Sequence, residues 1–186
     1  MITVNINGEE RQYPQGATYE DVANDYQKEY DNLIALAARD GKIRELFKKL
    51  TRDCEITFFT LKDDVGNKTY VRSATMLFLK AVFDVFGRET VQNCRVEFAI
   101  GNGSYISPKG KINATEENAA KIRNRMRELV EAKTPFLKKS YSLDNAMELF
   151  RREGMKDKEK LFRYRRGSFV NIYEMDGYYD YYYGYM

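Results

Sequence analysis

The sequence has no histidine, and that absence removes whole classes of chemistry. A Ser-His-Asp or Cys-His nucleophilic arrangement cannot be assembled without an imidazole base. A zinc site with a histidine ligand is excluded too, and the two cysteines, Cys54 and Cys94, make a poor one alone. Two cysteines also give no disulfide framework, so buried thiols in a reducing cytoplasm are the expectation. No apolar run reaches the roughly eighteen residues of a membrane span, because Met76–Phe86 is broken by Lys80 and Asp84. The opening Met1-Ile-Thr-Val-Asn-Ile6 reads as a strand and lacks the basic and apolar segments of a signal peptide. A cytoplasmic chain without a membrane partner is therefore expected. Gly-x-x-x-x-Gly-Lys-Ser/Thr occurs nowhere, and Gly101-x-Gly103 lacks the third glycine of a dinucleotide fingerprint.

What remains is a globular composition. Hydrophobic residues make up 43% and charged residues 32% of 186, enough to bury one large core or two small ones. The net charge of +3 is uneven. Residues 1–62 carry 9 Lys and Arg against 11 Asp and Glu, a net −2, and residues 63–186 carry 22 against 17, a net +5. The second half is the place to look for an anionic partner.

Ile2, Val4 and Ile6 alternate with polar residues, as in a half-buried strand. Asn7-Gly8 signals a two-residue hairpin with Arg11–Tyr13 as the return strand. Thr18 caps a helix, with Asp21 at the capping-box position and Tyr19, Val22, Ala23, Tyr26 and Tyr30 as its buried stripe. Leu33–Ala38, the Asp40-Gly41 turn and Lys42–Leu46 follow as a second hairpin, and Cys54–Thr60 closes the unit. Asp63-Asp64-Val65-Gly66-Asn67 reads as a polar turn and marks a domain boundary.

Beyond it, Ser73 is the expected cap of a helix running to about Phe86. Ala74, Leu77, Phe78, Ala81, Val82 and Val85 make its apolar face, with Arg72, Met76 and Phe83 off that face. Arg95–Ala99 is an expected strand, turned by Ile100–Ser104. Thr115 caps a long helix whose core face is Ile122, Met126, Leu129 and Val130. Ser142 caps another helix that stops at Gly154, and Phe169, Ile172 and Tyr173 suggest a strand. Between these last two lie six basic residues, Lys156, Lys158, Lys160, Arg163, Arg165 and Arg166, which are candidate nucleic-acid contacts. The final stretch, Tyr178–Met186, holds six of the fifteen tyrosines.

Hairpin, helix, hairpin and final strand in about sixty residues resemble the TGS domain, a β-grasp unit found in threonyl-tRNA synthetases, some GTPases and stringent-response enzymes. The second half resembles the second additional domain of threonyl- and alanyl-tRNA synthetases. There a His-x-x-x-His helix meets a late Cys-x-x-x-His to bind metal or hydrolyse mischarged tRNA. Those four positions fall on Arg72, Met76, Tyr182 and Met186, with Ser73-Ala74, Asp180 and Gly184 matching their neighbours. All four functional residues are replaced, and arginine and tyrosine are poor zinc ligands while thioethers favour softer metals. The tyrosine-rich ending Asp180-Tyr-Tyr-Tyr-Gly-Tyr-Met186 resembles a segment of bacterial nucleoside kinases of the uridine kinase/phosphoribulokinase type, which carry both units ahead of a P-loop kinase domain.

These resemblances imply an α+β chain: a β-grasp (ubiquitin-like) TGS domain over 1–62, then a synthetase editing-domain-like α+β domain over 63–186. They imply no catalytic residue, metal or cofactor in this chain. The expected partners are a nucleotide or RNA ligand and a kinase domain following Met186; no oligomeric state follows. The expected ligand site is Arg72, Ser73, Met76, Asp180, Tyr182 and Tyr183, with Arg72 and the Tyr182–Tyr183 segment in one cleft. An editing hydrolase and a purely structural or dimerising module are the alternatives.

Overall fold

The computed structural model describes residues 1–101, 103–108 and 112–186. Strand β1 (Ile2–Ile6) turns at Asn7 and Gly8, both at positive φ, into antiparallel β2 (Glu9–Tyr13). Helix α1 (Tyr19–Tyr26) starts at Thr18, whose hydroxyl accepts from the Asp21 amide while the Asp21 carboxylate accepts from the Thr18 amide at 2.7 Å. That reciprocal pair satisfies two orphan donors of the first turn. The helix ends at Tyr26, earlier than the stripe to Tyr30 suggests, and a 3-10 turn (Gln27–Glu29) follows. Tyr30 still packs edge-on to Phe58 at 5.9 Å.

Strands β3 (Ile34–Arg39), β4 (Lys42–Glu45) and β5 (Cys54–Thr60) complete a five-stranded mixed sheet in the order β2-β1-β5-β3-β4. Its parallel pair is β1 with β5, and the other neighbours are antiparallel. One face, carrying Ile2, Val4, Ile6, Ile56 and Phe58, buries Tyr19, Val22, Ala23 and Tyr26 of α1. Tyr13 at the rim donates to Asp25, and burial together with that carboxylate pushes its pKa up to about 12.

The polar stretch after β5 is not a free turn. Helix α2 runs Asp64–Phe86, so Ser73 lies well inside it and caps nothing. The Asp63 carboxylate accepts from the Thr60 amide at 2.7 Å and from the Thr60 hydroxyl at 3.0 Å, bending the chain. The Asp63 carbonyl then accepts from Asn67, which starts the helix. Gly66 is required there because a Cβ would sit 2.0 Å from the Thr60 carbonyl oxygen. Residues typical of a linker are thus the parts of a tight strand-to-helix junction.

The chain divides into two compact units, Met1–Ser73 with Gly184–Met186, and Ala74–Tyr183. The division falls within α2, whereas a boundary at 62/63 was expected from composition.

In the second unit, α3 (Arg88–Gln92) leads into a hairpin of β6 (Cys94–Ile100) and β7 (Gly103–Pro108). Asn102, in the expected Ile100–Ser104 turn, lies outside the described residues. Helix α4 (Glu116–Glu131) starts at Thr115, whose hydroxyl accepts from the Asn118 amide. Ile122 and Leu129 are buried as expected, but Val130 is exposed. Strand β8 (Leu137–Ser142), helix α5 (Leu143–Arg152), helix α6 (Lys156–Arg163), strand β9 (Phe169–Met175) and strand β10 (Tyr178–Asp180) follow. The last three strands form an antiparallel sheet in the order β10-β9-β8. Ala146, Leu149 and Phe150 of α5 and Phe162 of α6 pack on Val170 and Ile172. Among the described residues no helix is long and apolar enough to cross a membrane.

Substituting Gly66→Ala is expected to destabilise the protein by roughly 1–3 kcal/mol, because backbone must move to admit the methyl. Chemical denaturation measures this; unchanged stability would mean that α2 does not start against Thr60.

Candidate functional site

The tyrosine-rich end is ordered by one carboxylate. Asp176 and Gly177, both at positive φ, turn β9 into β10. Strand alternation then puts Tyr178 and Asp180 on the buried side, with Tyr179 between them half-exposed. Asp180 is only 2% exposed. It accepts from the Lys158 ammonium of α6, from the Tyr178 hydroxyl at 3.2 Å and from the Tyr181 amide at 2.6 Å. The Lys158 ammonium also lies 6.0 Å from the centre of the Tyr182 ring. Arg165 donates to the Tyr181 hydroxyl. Tyr181 meets Phe162 edge-on at 5.0 Å, and Tyr182 meets Tyr173 edge-on at 6.5 Å.

The phenols of this cluster are held in their neutral form. Burial, then the negative charge of Asp180, pushes the Tyr178 and Tyr182 phenols well above their ordinary range. Both stay protonated near neutral pH and can only donate or share a hydrogen bond. The carboxylate is occupied by Lys158. The Tyr182 hydroxyl is buried with no hydrogen bond of acceptable geometry, although Asp180 is close enough to hold its proton more tightly. Tyr183 is 84% exposed.

The other expected ligand residues, Arg72, Ser73 and Met76, are carried by α2. Arg72 is half-buried in the first unit and donates to the Tyr185 carbonyl at 3.0 Å. Gly184 leaves room for that guanidinium, since a Cβ there would lie 2.7 Å from Arg72 Cζ. The Met186 amide donates to Glu45 Oε1 at 3.4 Å. Ser73 is half-buried in α2. Met76 is fully buried, which corrects the reading that put it off the apolar face; it is a packing residue. Arg72 belongs to the first unit and Tyr182 and Tyr183 to the second.

A metal held at positions 72, 76, 182 and 186 does not fit the groups present. Arg72 is a cation engaged with a carbonyl, Met76 a buried thioether, and Tyr182 a protonated phenol. Among the described residues no cluster of three His, Cys, Asp or Glu side chains is placed to hold a metal.

The six basic candidates separate. Lys158 and Arg165 turn inward to Asp180 and Tyr181. Lys156, Lys160, Arg163 and Arg166 are exposed, Arg163 lying 3.6 Å from Glu159.

Two features escaped the sequence reading. Lys80 is 2% exposed, with its ammonium 2.7 Å from Asp84, 2.7 Å from the Asp176 carbonyl and 3.2 Å from the Asp176 carboxylate. Arg125 reaches Asp84 from α4 at 2.8 Å. The i, i+4 spacing of Lys80 and Asp84 was the available signal, but it also marks ordinary exposed pairs. The second is an apolar cavity of about 480 Å³ lined by Phe78, Val82, Cys94, Ile106, Ile122 and Met126 among others. Burial raises the pKa of the Cys94 thiol there.

No family model matches the chain. Its sequence is similar to threonine–tRNA ligases. That of Thermotoga maritima is 28% identical over 177 residues, covering 89% of this chain and 27% of the ligase. That of Maricaulis maris is 27% identical over 183 residues, covering 92% and 28%. That of Rhizobium etli (strain CIAT 652) is 27% identical over 175 residues, covering 94% and 26%. The chain thus spans about a quarter of the length of these relatives. These relatives are ligases, not kinases, so they lend no support to the expected uridine kinase-type context.

Tyr182→Phe removes a buried hydroxyl without a good partner and is expected to leave stability unchanged or raise it by up to about 1–3 kcal/mol. The pH dependence follows from the raised phenol pKa values. Unfolded tyrosines ionise near 10, whereas Tyr178 and Tyr182 hold their protons to higher pH when folded. Stability is therefore expected to be fully present below about pH 10 and to fall above it, less steeply in Tyr182→Phe. Denaturation midpoints across that range measure both; an equal fall in the two proteins would show that Tyr182 is not buried as described.

Proposed function

We propose that this chain is a tRNA-synthetase-related region, a TGS-like β-grasp unit joined to an editing-domain-like unit, that binds RNA and has no hydrolytic activity of its own. The supporting observation is the similarity to threonine–tRNA ligases over about nine-tenths of the chain. The sheet order β2-β1-β5-β3-β4 around a central parallel pair, with α1 on one face, supports the β-grasp assignment.

In this reading Asp180, Lys158, Tyr182 and Tyr183 offer donors, one fixed ion pair and ring faces to a nucleotide. Arg72 offers a planar cation in the first unit. Of these, the Tyr183 ring is the one held in water, 84% exposed, so stacking on it is the contact this reading expects first.

A second reading, hydrolysis of mischarged tRNA, is favoured by the same similarity. It is opposed by the absence of any histidine and by the commitment of Asp180 to Lys158. An attached kinase domain rests on the tyrosine-rich ending alone.

Fluorescence anisotropy with a threonine-specific tRNA tests the proposal. Saturable binding is expected, weakening as salt rises because each neutralised phosphate releases counterions. Deacylation of the same tRNA charged with the wrong amino acid is measured alongside and is expected to match the rate without protein. Absence of binding would overturn the proposal, and a protein-dependent deacylation abolished by Asp180→Asn would establish the second reading instead.

A further inference from the structure

We propose that the outer face of α6, with the loop that joins it to β9, is a docking surface for single-stranded RNA. This rests on the reading above that the chain binds RNA, and it names the surface and the form of RNA.

The first observation is how the structure sorts the charges of this segment. From Lys156 to Phe169 there are six basic residues against Asp157 and Glu159. Lys158 and Arg165 are turned inward, where Asp180 and Tyr181 engage them. Lys156, Lys160, Arg163 and Arg166 point outward. Lys156 and Lys160 are four residues apart, and Tyr164 follows four residues later as the C-cap of α6. Positions four apart lie on one helix face, so two ammonium groups and a phenol form a row in steps of about 6 Å. Arg163 flanks that row, and Arg166 lies in the loop beyond it.

The second observation is aromatic exposure. Tyr164 is 77% and Phe169 67% exposed, one at each end of the same short loop. Their backbones are fixed. The Arg165 amide donates to Phe162 and the Leu143 amide donates to Ser168, both at 3.2 Å. Phe169 is paired with Ser142 in the sheet. A basic face that only needed hydration would have no use for two large rings held in water. Cations that track a backbone beside rings on which bases stack suit an unpaired polynucleotide. A duplex keeps its base faces covered and could use only the cations.

A membrane surface fits less well. Lipid binding by α6 would need a free apolar helix face; its ring Phe162 is already used against Phe150 and Tyr181, and Leu161, 52% exposed, is a single aliphatic side chain among cations.

The test uses the whole chain and a fluorescent oligouridine of about twelve nucleotides, within the usual site size. Tyr164→Ala is expected to weaken binding roughly 5- to 100-fold, the usual range for a lost base stack. Lys160→Gln and Arg163→Gln are each expected to reduce the salt slope of binding by about 0.7, the value for one phosphate contact on a single strand. Arg127→Gln removes another exposed charge, on α4, and is expected to leave the slope unchanged. Melting curves of each variant, expected to match the parent protein, separate lost contacts from lost folding.

If the parent protein binds neither tRNA nor oligouridine, both this surface and the RNA-binding reading fall. If it binds and Tyr164→Ala has no effect, or Arg127→Gln weakens it as much as Arg163→Gln, this surface alone falls. Equal affinity for duplex RNA, or binding to phosphatidylglycerol vesicles without binding to oligouridine, would also overturn it.

Discussion

A carboxylate taken out of water costs several kcal/mol unless its charge and lone pairs are met. Asp180 shows how the second unit meets that demand. The Lys158 ammonium, the Tyr178 hydroxyl and the Tyr181 amide all converge on it. Because Lys158 comes from α6 and the others from β10 and its continuation, this compensation ties helix to sheet. Lys80 poses the same problem with opposite sign, and Asp84 and Asp176 answer it. The β9–β10 hairpin is therefore pinned twice, at its turn by Lys80 and at its end by Lys158. The tyrosines that follow take their positions from those two anchors.

That arrangement bears on chemistry. Phenols raised by burial remain protonated. The absence of histidine leaves the chain without an imidazole base. The chain is similar to threonine–tRNA ligases over about a quarter of their length, and α6 and its loop carry exposed cations.

Local signals were legible wherever a short-range rule was sufficient. The Asn7-Gly8 and Asp40-Gly41 turns, the Thr18 capping box and the Thr115 and Ser142 caps all stand where their spacing placed them. Legibility failed where a residue's meaning depends on a distant neighbour. Asp63 and Gly66 are turn formers by composition, yet next to Thr60 they start a helix. Met76 lies off the apolar face by periodicity, yet it is fully buried, because what packs against that side of α2 is not set by α2 alone. Strand β8, with Lys138, Lys139 and two serines in six residues, carries no apolar alternation and exists because it pairs with β9.

By itself, then, the sequence determined the hairpins of the first unit, the Thr18, Thr115 and Ser142 caps, the order of elements in the first unit and the exclusion of imidazole chemistry, because each depends on residue type and near neighbours alone. The tertiary structure decided which charges face water and which are buried. Lys158 and Lys160 are alike in sequence context. Only the packing of α6 against the last sheet sends one to Asp180 and leaves the other in solvent, since burial of an ion is settled by the partner it finds and not by its own chemistry.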